Sequence, residues 1–556
     1  MKIKASEIFT FFILTSCVFL IAGSANARTW YVSNSGNDSN SGTQALPWLT
    51  IAKVNRSSLN PGDQILFERG GIWREELSVP SSGNAGKPII FGAYGTGNKP
   101  VISGADIISG WSGVRPNIYY AAVGVQPHRV FFDNALGTRR ANVKSLASDK
   151  DWTWFSNILY VYSASPPTGR VIEASQRPYA IIVTGRSHLE FVNLELRYGG
   201  LDGFLAAKGA TYITIDRLTS RYNYWTGIKT SDNGGTVVNR KFVIRDSVVD
   251  HNGGSGMLLS AVANSLIHGN LATNNAMERG GEQFDWTAGI RLTGTDSVAN
   301  IIENNECSYQ GNGVGIWLDF NGSGNIIRFN KTHHNGYHGI FNEITSGTEI
   351  YGNVSYDNAG QSLSSGIYVE GRNGHPPLNG AAVGNKVYNN TIYGNGGFGL
   401  MLQNGDGIAG VTHDNVIKNN IITGTLSGTN LRVGGGAEKE YNVFDHNILG
   451  TERWNFIEWG WRKYKSSYAS WEAAYGRNTN SLKVDPQFVN PLAGDFSLKP
   501  TSPCIDAGIN LGDSYKFGLS ASSRWPHQIV TLDRNECGAA WDIGAYEYTG
   551  GGFPSN

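Results

Sequence analysis

The chain has 556 residues, and its 45 Lys and Arg balance 45 Asp and Glu, which gives a formal net charge of zero. This balance argues against the basic surface that nucleic acid or an anionic membrane would attract, so we expect neither as a partner. The content of 72 Gly, 15 Trp and 25 Tyr, with only 16% charged residues, is typical of turn-rich β structure.

The N-terminus has the order of a secretory signal peptide, predicted over residues 1–27. Two lysines precede an apolar run over residues 8–23, and small residues lead to Ala27, after which we expect cleavage. The run is short for a membrane span and no later stretch is long enough, so no membrane insertion is expected. We predict a secreted or periplasmic protein, with a lipoprotein linked through Cys17 as the less favoured alternative.

The remaining chain divides into four parts. Residues 28–106 alternate short strands with turns and are predicted to form an N-terminal cap and the first coils. Residues 107–177 are rich in Trp and Tyr, which predicts a small antiparallel β insert. Residues 178–448 carry a regular repeat. Residues 449–556 are irregular and are expected to cap the C-terminal end, because an open end would expose a sheet edge.

The repeat is a glycine followed by four residues that alternate between apolar and variable positions. It recurs at intervals of 24 to 33 residues, which fits one coil of a parallel β-helix per repeat. Its instances are 256–260 (GMLLS), 289–293 (GIRLT), 315–319 (GIWLD), 339–343 (GIFNE), 366–370 (GIYVE) and 399–403 (GLMLQ).

Asparagines recur in step with this repeat, in pairs five residues apart. A side-chain amide can bond to the same residue one coil away, so stacked asparagines would form ladders at the coil corners. Helical periodicity is absent, which also favours β structure. The pairs are Asn270 with Asn275, Asn330 with Asn335, Asn353 with Asn358 and Asn390 with Asn395, and Asn305 with Gln310 is a near match.

The opening WYVSNSGNDSNSGTQALPWLTIAKV, the coil repeats and the closing DIGAYE together resemble the pectate-lyase-like superfamily of secreted bacterial proteins. The resemblance covers nearly all of the mature chain. It implies an all-β fold, a right-handed parallel β-helix (solenoid) with a small antiparallel β insert and an irregular C-terminal cap. Because this fold carries several chemistries, function has to be argued from the side chains.

A narrower resemblance begins at Gly315. The segment GIWLDFNGSGNIIRFNKTHHNGYHGIFNEI is similar to one in β-helical glycoside hydrolases of the β-xylosidase type. In those enzymes an Asp and a Glu from consecutive coils serve as nucleophile and acid/base. The resemblance places these roles on Asp319 and Glu343.

The fifth positions of the repeat place Asp319, Glu343 and Glu370 on consecutive coils, pointing outward because the second and fourth positions should face the core. Coils stack ~4.8 Å apart, so the carboxyls of Asp319 and Glu343 should be about 5 Å apart, as in a retaining glycosidase, and those of Asp319 and Glu370 roughly 9 to 10 Å apart. We predict Asp319 as nucleophile, Glu343 as acid/base, and Glu370 as a residue that orients substrate or tunes its neighbour. Crowding should raise the pKa of one of the three acids.

The third positions form an aromatic strip beside the acids, and we expect both to face one open groove that binds sugar rings. Inserted loops on the same face should wall this groove. The predicted substrate-binding residues are Arg291, Trp317, Phe341, Tyr368, His338 and Trp286. Second-rank candidates in the loops are Glu282, Asp285, Arg372 and His375, while a simpler interpretation makes His333, His334 and His338 turn residues.

Three cysteines remain in the mature chain, too few for a disulfide-stabilised scaffold. Cys504 and Cys537 are candidates for one disulfide, and Cys307 is expected to be a small buried residue of the stack. The cysteines show no CxxC spacing or His/Cys cluster, so no metal site and no cofactor are predicted.

Three functions follow from these residues. The favoured one is an exported, monomeric glycoside hydrolase acting on a polysaccharide or oligosaccharide. The second is a polyuronide lyase in which the stacked carboxylates bind Ca²⁺ and Arg291 or Lys229 abstracts a proton. The third is a non-catalytic glycan-binding surface or exopolysaccharide-associated protein.

Overall fold

The computed structural model describes residues 27–231, 237–276, 286–372, 380–405 and 410–550. Its strands wind into a solenoid in which a typical coil contributes one strand to each of three parallel sheets, here called sheets I, II and III. Neighbouring strands within each sheet come from successive coils, which confirms the predicted parallel β-helix. The predicted signal peptide falls almost wholly outside the described residues.

The strands of each sheet follow one another in chain order, with few exceptions. Sheet I contains Thr29–Val32, Gln64–Glu68, Ile89–Tyr94, Ser187–Val192, Thr211–Asp216, Asn239–Arg245, Val262–Ala263, Leu266–His268, Ile301–Glu303, Ile326–Arg328, Glu349–Tyr351, Lys386–Tyr388, Val416–Lys418 and Val443–Asp445. Sheet II contains Leu77–Ser78, Tyr179–Thr184, Asp202–Ala207, Ile228–Ser231, Met257–Ser260, Ala288–Thr293, Val314–Asp319, Ile340–Glu343, Ser365–Gly371, Phe398–Asn404, Leu431–Gly434, Ile457–Trp459 and Tyr464–Lys465. Sheet III contains Ile72–Trp73, Val101–Ser103, Glu195–Arg197, Thr219–Arg221, Val248–Asp250, Leu271–Thr273, Glu306–Ser308, Lys331–His333, Val354–Tyr356, Thr391–Tyr393 and Ile421–Thr423.

Sheet II shows the alternation that the repeat predicts. Ile316 and Leu318 are fully buried in the solenoid core, while Trp317 packs in a separate cluster on the outer face of the sheet. The glycine that opens the repeat is required by a close approach between coils, because a Cβ at Gly315 would lie 2.5 Å from the carbonyl oxygen of Gly339. Only glycine leaves room for the next coil there.

The predicted asparagine ladders are confirmed at the coil corners. In one ladder Asn305 Nδ2 donates to Asn330 Oδ1 at 3.0 Å, and Asn330 Nδ2 donates to Asn353 Oδ1 at 3.1 Å. In a second ladder Asn335 Nδ2 donates to Asn358 Oδ1 at 2.8 Å. These amides are buried, so the ladders satisfy polar groups that folding removes from water and hold successive coils in register.

The chain leaves the solenoid after the sheet III strand Val101–Ser103 and returns at the sheet II strand Tyr179–Thr184, and the residues between them form the predicted antiparallel insert. Phe131 of the insert stacks on Tyr198 of the solenoid with 3.7 Å between ring centroids, and Arg74 pairs with Glu173 at 2.8 Å. Two small sheets make up the insert: Ala135–Leu136, Val130–Phe132, Ile172–Ser175 and Ala105–Ile107 in one, and Thr138–Arg139, Asp151–Phe155, Ile158–Tyr162, Ile118–Ala122 and Ser112–Arg115 in the other.

The C-terminal region first closes the end of the core. Trp471, on the helix Tyr468–Tyr475, is fully buried and packs with Phe444 and Trp459 beneath it. This helix caps apolar surface that the last coil would otherwise expose. The other helices within the described ranges are Ile51–Asn55 and the short 3-10 helices Val143–Ser145, Pro167–Gly169, Ala437–Lys439, Pro491–Ala493, Asp513–Tyr515 and Arg534–Glu536.

The remaining C-terminal residues run back along the outside of the solenoid, which the sequence does not predict. Trp525 Nε1 donates to the carbonyl oxygen of Phe329 at 2.8 Å, and His527 Nδ1 lies 3.5 Å from Asp246. This segment therefore covers the sides of several coils as well as following the end cap. Its strands are Phe488–Asn490, Asp495–Leu498, Phe517–Leu519 and Thr531–Asp533.

Cys307, Cys504 and Cys537 are free thiols, so the candidate disulfide between Cys504 and Cys537 is absent. Cys307 is fully buried in the solenoid core, as expected. None of the helices in the described ranges is long and apolar enough to cross a bilayer.

Candidate active site

The three predicted acids stand side by side on the outer face of sheet II. Asp319 pairs in register with Glu343, and Glu343 pairs in register with Glu370, on the strands of three successive coils. Because neighbouring strands lie ~4.8 Å apart, the carboxyl groups are near neighbours along the axis of the solenoid. The asparagine ladders and the solenoid core fix this register.

Asp319 is the most accessible of the three acids, with 17% of its side chain exposed. The Arg291 guanidinium contacts its Oδ2 and lies 4.0 Å from the centre of the Trp317 ring. Thr293 Oγ1 donates to the same carboxylate oxygen at 3.2 Å. The aspartate is thus held in one orientation by a cation and a hydroxyl, both from the preceding coil.

Glu343 is almost fully buried, and burial raises its pKa to about 8. The negative charge of Asp319 adds to this increase in pKa, while the Arg372 guanidinium, 3.3 Å from Glu343 Oε1, opposes it. The group therefore carries a proton at neutral pH. A carboxylic acid beside a carboxylate gives the site one proton donor and one nucleophile or base.

Glu370 is buried by its own coil and the next one. Arg372 Nε lies 2.7 Å from Glu370 Oε2, and the Tyr368 hydroxyl donates to Oε1. Gly405 passes directly over the pair, since a Cβ there would lie 2.7 Å from Glu370 Oε1 and 2.5 Å from Arg372 Cγ. The expectation of an open groove over all three acids is wrong at Glu370, which is enclosed.

The third-position aromatics project from the outer face, but they are buried rather than exposed. Phe341 stacks on Trp317 at 5.5 Å and on Tyr368 at 4.6 Å between ring centroids, and all three belong to a small apolar cluster. Tyr368 therefore cannot present its face to a sugar, contrary to the prediction. Their main contribution is a rigid support for the acids beside them.

A pocket of about 200 Å³ lies at the edge of this cluster. Trp286 forms an exposed aromatic wall of this pocket, and its ring lies 5.9 Å from that of Trp317. The pocket is lined by Trp286, Thr287, Asn312, Val314, Trp317, Tyr337, Phe341 and Gln361. Aromatic walls with a few polar groups are suited to a sugar ring.

His338 does not reach this pocket as a ligand. It is fully buried, its Nδ1 lies 2.8 Å from Ser365 Oγ, and burial lowers its pKa to about 3. The predicted substrate contact is therefore wrong, and His338 is a neutral packing residue under Phe341 and Tyr368.

The other candidates lie away from the acids or outside the described residues. His333 is on sheet III with its Nε2 2.8 Å from Glu306, and Lys229 is two strands from Arg291 with its Nζ 3.6 Å from Asp202. Within the described part of the chain, no group of three or more His, Cys, Asp or Glu is arranged to hold a metal ion. Glu282, Asp285 and His375 lie outside the described residues.

Two residues contribute more to the site than the sequence predicted: Arg372 and Tyr337. Arg372 bridges Glu343 and Glu370, and its position follows from alternation, since it lies two residues beyond Glu370 on the same face. Tyr337 lines the pocket and was missed, because it lies in a turn outside the repeat, where periodicity gives no signal.

Known proteins share the architecture of this chain. A family model for the right-handed β-helix region matches residues 168–305 and 283–420. The uncharacterized protein YwoF of Bacillus subtilis (strain 168) is 25% identical over 490 residues, which cover 85% of this chain and 91% of that protein.

Two solved structures match most of the chain. The complex of XylC with xylose has a TM-score of 0.61 and 15% identity, covering 83% of this chain and 87% of that one. A structure described as a glycoside hydrolase has a TM-score of 0.54 and 14% identity, covering 70% of this chain and 96% of that one. At these identities the likeness concerns the fold.

Proposed function

We propose that this chain, which folds as a right-handed parallel β-helix, is an exported glycoside hydrolase that cleaves a polysaccharide or oligosaccharide with retention of anomeric configuration. The fold alone does not determine the chemistry. The pairing of Asp319 with Glu343 carries the proposal, because their adjacent strands set the short carboxyl separation of retaining enzymes, about 5 Å.

In the first step Glu343 protonates the glycosidic oxygen while an Asp319 carboxylate oxygen attacks the anomeric carbon. The bond to the leaving sugar breaks, its oxygen keeps the proton, and a covalent glycosyl ester forms on Asp319. The raised pKa of Glu343 supports its role as the acid. Arg291 and Thr293 hold the attacking carboxylate.

In the second step Glu343, now ionised, takes a proton from water as the water oxygen attacks the anomeric carbon. The ester bond breaks, which restores Asp319 as a carboxylate and Glu343 as an acid. The substrate approaches from the side of Asp319, where the carboxylate is accessible, and the pocket beside Trp286 is a suitable site for one sugar ring. Glu370 and Arg372 tune the proton affinity of Glu343 without touching substrate.

The structure of XylC in complex with xylose and that of a glycoside hydrolase are similar to this chain in fold, which is consistent with this activity. The pairing of the carboxylates with arginines favours hydrolysis over a calcium-dependent lyase, since Asp319 and Glu370 each already have a cationic partner. Export is supported by the order of residues 1–27, in which two lysines, an apolar run and small residues precede the predicted cleavage site. Periplasmic or culture-supernatant protein starting at Arg28 would verify this.

The test is incubation of the purified protein with xylan, arabinan, galactan and polygalacturonate, with and without EDTA. Hydrolysis releases reducing ends without unsaturated uronates, and NMR of the fresh product gives the retained anomer. A 2-fluoro glycoside of the cleaved sugar should label Asp319, which peptide mass spectrometry detects. Unsaturated products that disappear with EDTA would establish the lyase instead, and binding without turnover would establish a glycan-binding protein.

A further inference from the structure

Exposed tryptophan is concentrated beside sheet II. Among the tryptophans in the described ranges, three have more than half of their surface exposed: Trp286 at 61%, Trp454 at 70% and Trp461 at 62%. Trp286 precedes the strand Ala288–Thr293, and the other two flank the strand Ile457–Trp459. Exposed tryptophan surface is costly to hydrate, so its restriction to one sheet calls for a ligand.

The register of sheet II puts the side chains that contact Trp454 and Trp461 on the same outer face as the acids. The column that contains Tyr368 continues through Met401, Arg432 and Glu458 to Tyr464. Side chains of one column point to one face of a sheet. The acids and this column both project outward from sheet II.

The rings of Trp454 and Trp461 are anchored to that column. The Trp461 ring lies 4.9 Å from the Arg432 guanidinium, and the Trp454 ring packs edge-on against Tyr464 at 5.3 Å. Arg432 is itself held between Phe398, at 4.8 Å, and Trp461. The two indoles are therefore supported from below and open above.

The spacing along the axis corresponds to a chain of sugars. One step from a strand of sheet II to its neighbour is ~4.8 Å. The strand of Arg432 is two such steps from that of Glu370, or ~10 Å, and the strand Ile457–Trp459 is three steps from it, or ~14 Å. From the strand that follows Trp286 to Ile457–Trp459 there are six steps, or ~29 Å. A sugar unit in an extended glycan is about as long as one step of ~4.8 Å.

We propose that Trp461 and Trp454 are distal sugar-binding platforms, and that the substrate is a linear polysaccharide lying along the stack of coils over sheet II. One part of the glycan contacts Trp286, and the scissile bond lies at Asp319 and Glu343. The glycan then passes outside Gly405, which covers Glu370, and sugars farther along stack on Trp461 and Trp454. This inference rests on the proposed function and specifies its substrate class as a polymer. The exposed charged residues Arg453, Arg462 and Lys463 adjoin the two indoles, unlike the continuous apolar patch that a protein partner requires.

The variants Trp461→Ala, Trp454→Ala and their combination test this. The probes are xylan, arabinan, galactan and polygalacturonate, each as intact polymer and as its trisaccharide. On the polymer that wild type cleaves, we expect each single change to lower kcat/KM about tenfold, because a stacked aromatic contact is lost. On the trisaccharide, which is too short to reach Trp461 from the acids, kcat/KM should stay within about twofold.

The matched control is Phe155→Ala, which removes a 70% exposed aromatic residue of the insert and should change neither substrate. Trp461→Phe should keep most of the activity on the polymer, and thermal unfolding should confirm that all variants fold. Equal losses on polymer and trisaccharide, or no loss on either, would overturn the platforms while leaving hydrolysis established.

Affinity electrophoresis in gels containing the same polymers separates this inference from the proposed function. If wild type cleaves nothing but is retarded by a polymer, weaker retardation of Trp461→Ala supports the platforms and rejects hydrolysis. Unchanged retardation of Trp461→Ala, or no retardation of wild type in any gel, rejects the platforms.

Discussion

Two buried glutamates in this molecule share a raised pKa and a neighbouring arginine, but they differ in how close they lie to solvent. Glu343 lies on sheet II between Asp319 and Glu370, and burial raises its pKa to about 8. Glu547 lies in the C-terminal segment, and burial raises its pKa as well, while the Arg534 guanidinium opposes the increase. Burial alone therefore does not mark a catalytic acid.

The surroundings of the two groups distinguish them. Glu547 and Arg534 are fully enclosed, and Arg534 also donates to the carbonyl oxygens of Asp542 and Gly544 at 3.1 and 3.0 Å. Glu343 instead has a second carboxyl group on either side and an accessible neighbour in Asp319. Crowding of like charges beside an accessible face indicates chemistry, whereas a closed ion pair indicates structure.

The largest difference should appear in turnover. Glu343→Gln removes the proton donor but keeps the shape of the side chain, so kcat should fall roughly 10²- to 10⁴-fold. Glu547→Gln should leave kcat unchanged, because that residue lies in the C-terminal segment. Initial rates of reducing-end release measure both. A decrease of less than about tenfold for Glu343→Gln would remove it from the role of general acid.

The opposite pattern is expected for stability. Above about pH 8, where Glu547 is ionised, Glu547→Gln leaves the Arg534 charge buried without its partner, which should lower the free energy of unfolding by about 3 to 5 kcal/mol. Replacing both residues, as Glu547→Gln with Arg534→Met, should recover part of this loss. Chemical unfolding followed by tryptophan fluorescence provides the measurement. If Glu343→Gln were equally destabilising, the contrast between the two sites would fail.

The stability of the protein should depend on pH through Glu343. The pKa of Glu343 rises from its ordinary value of 4.5 to about 8 on folding, so the folded state binds a proton that the unfolded state has lost. This contribution to stability is complete below about pH 4.5 and is lost as the pH rises through about 8. Wild type should lose a few kcal/mol more than Glu343→Gln between these limits, measured by unfolding at each pH.

The rate of hydrolysis should follow the same protonation. Above about pH 8, kcat/KM should decrease tenfold per pH unit as Glu343 loses its proton. Arg372→Met should move this decrease to higher pH, since the guanidinium lowers the pKa of Glu343. An unchanged basic limb in that variant would show that another group controls the rate.

The smallest expected effect concerns the alignment of Asp319. Thr293→Val removes the hydrogen bond to the carboxylate, worth about 1 kcal/mol, so kcat/KM should fall roughly fivefold. Ser260→Ala is the matched control, because Ser260 occupies the same column one strand earlier. Equal kinetics for the two variants would indicate that Arg291 alone orients Asp319.

The sequence predicts the parts of the molecule that are periodic. The repeat 315–319 gives the end of the strand Val314–Asp319, and its fifth position gives the register of Asp319 with Glu343. The asparagine pairs likewise predict the ladders. Each of these features is repeated coil after coil, so local pattern and global structure agree.

Features that depend on contacts between distant segments are not predictable in this way. The burial of Phe341 results from Trp317 and Tyr368 stacking on it and from Tyr337, which lies outside the repeat. The bond from Trp525 to Phe329 joins residues 196 positions apart. Neither contact leaves a periodic pattern in the sequence. The sequence therefore predicted an open groove where Phe341 is buried, and a simple end cap where the C-terminal segment returns along the solenoid.

The returning C-terminal segment has a consequence for how the solenoid melts. In a stack where each coil touches only its neighbours, the terminal coil can fray and the opening can spread turn by turn. Here the C-terminal segment contacts Asp246 on one coil and Asn419 on a distant coil, so it links the sides of several coils. A coil that this segment contacts can unfold only if the segment dissociates, and we therefore expect these coils to unfold as one cooperative unit.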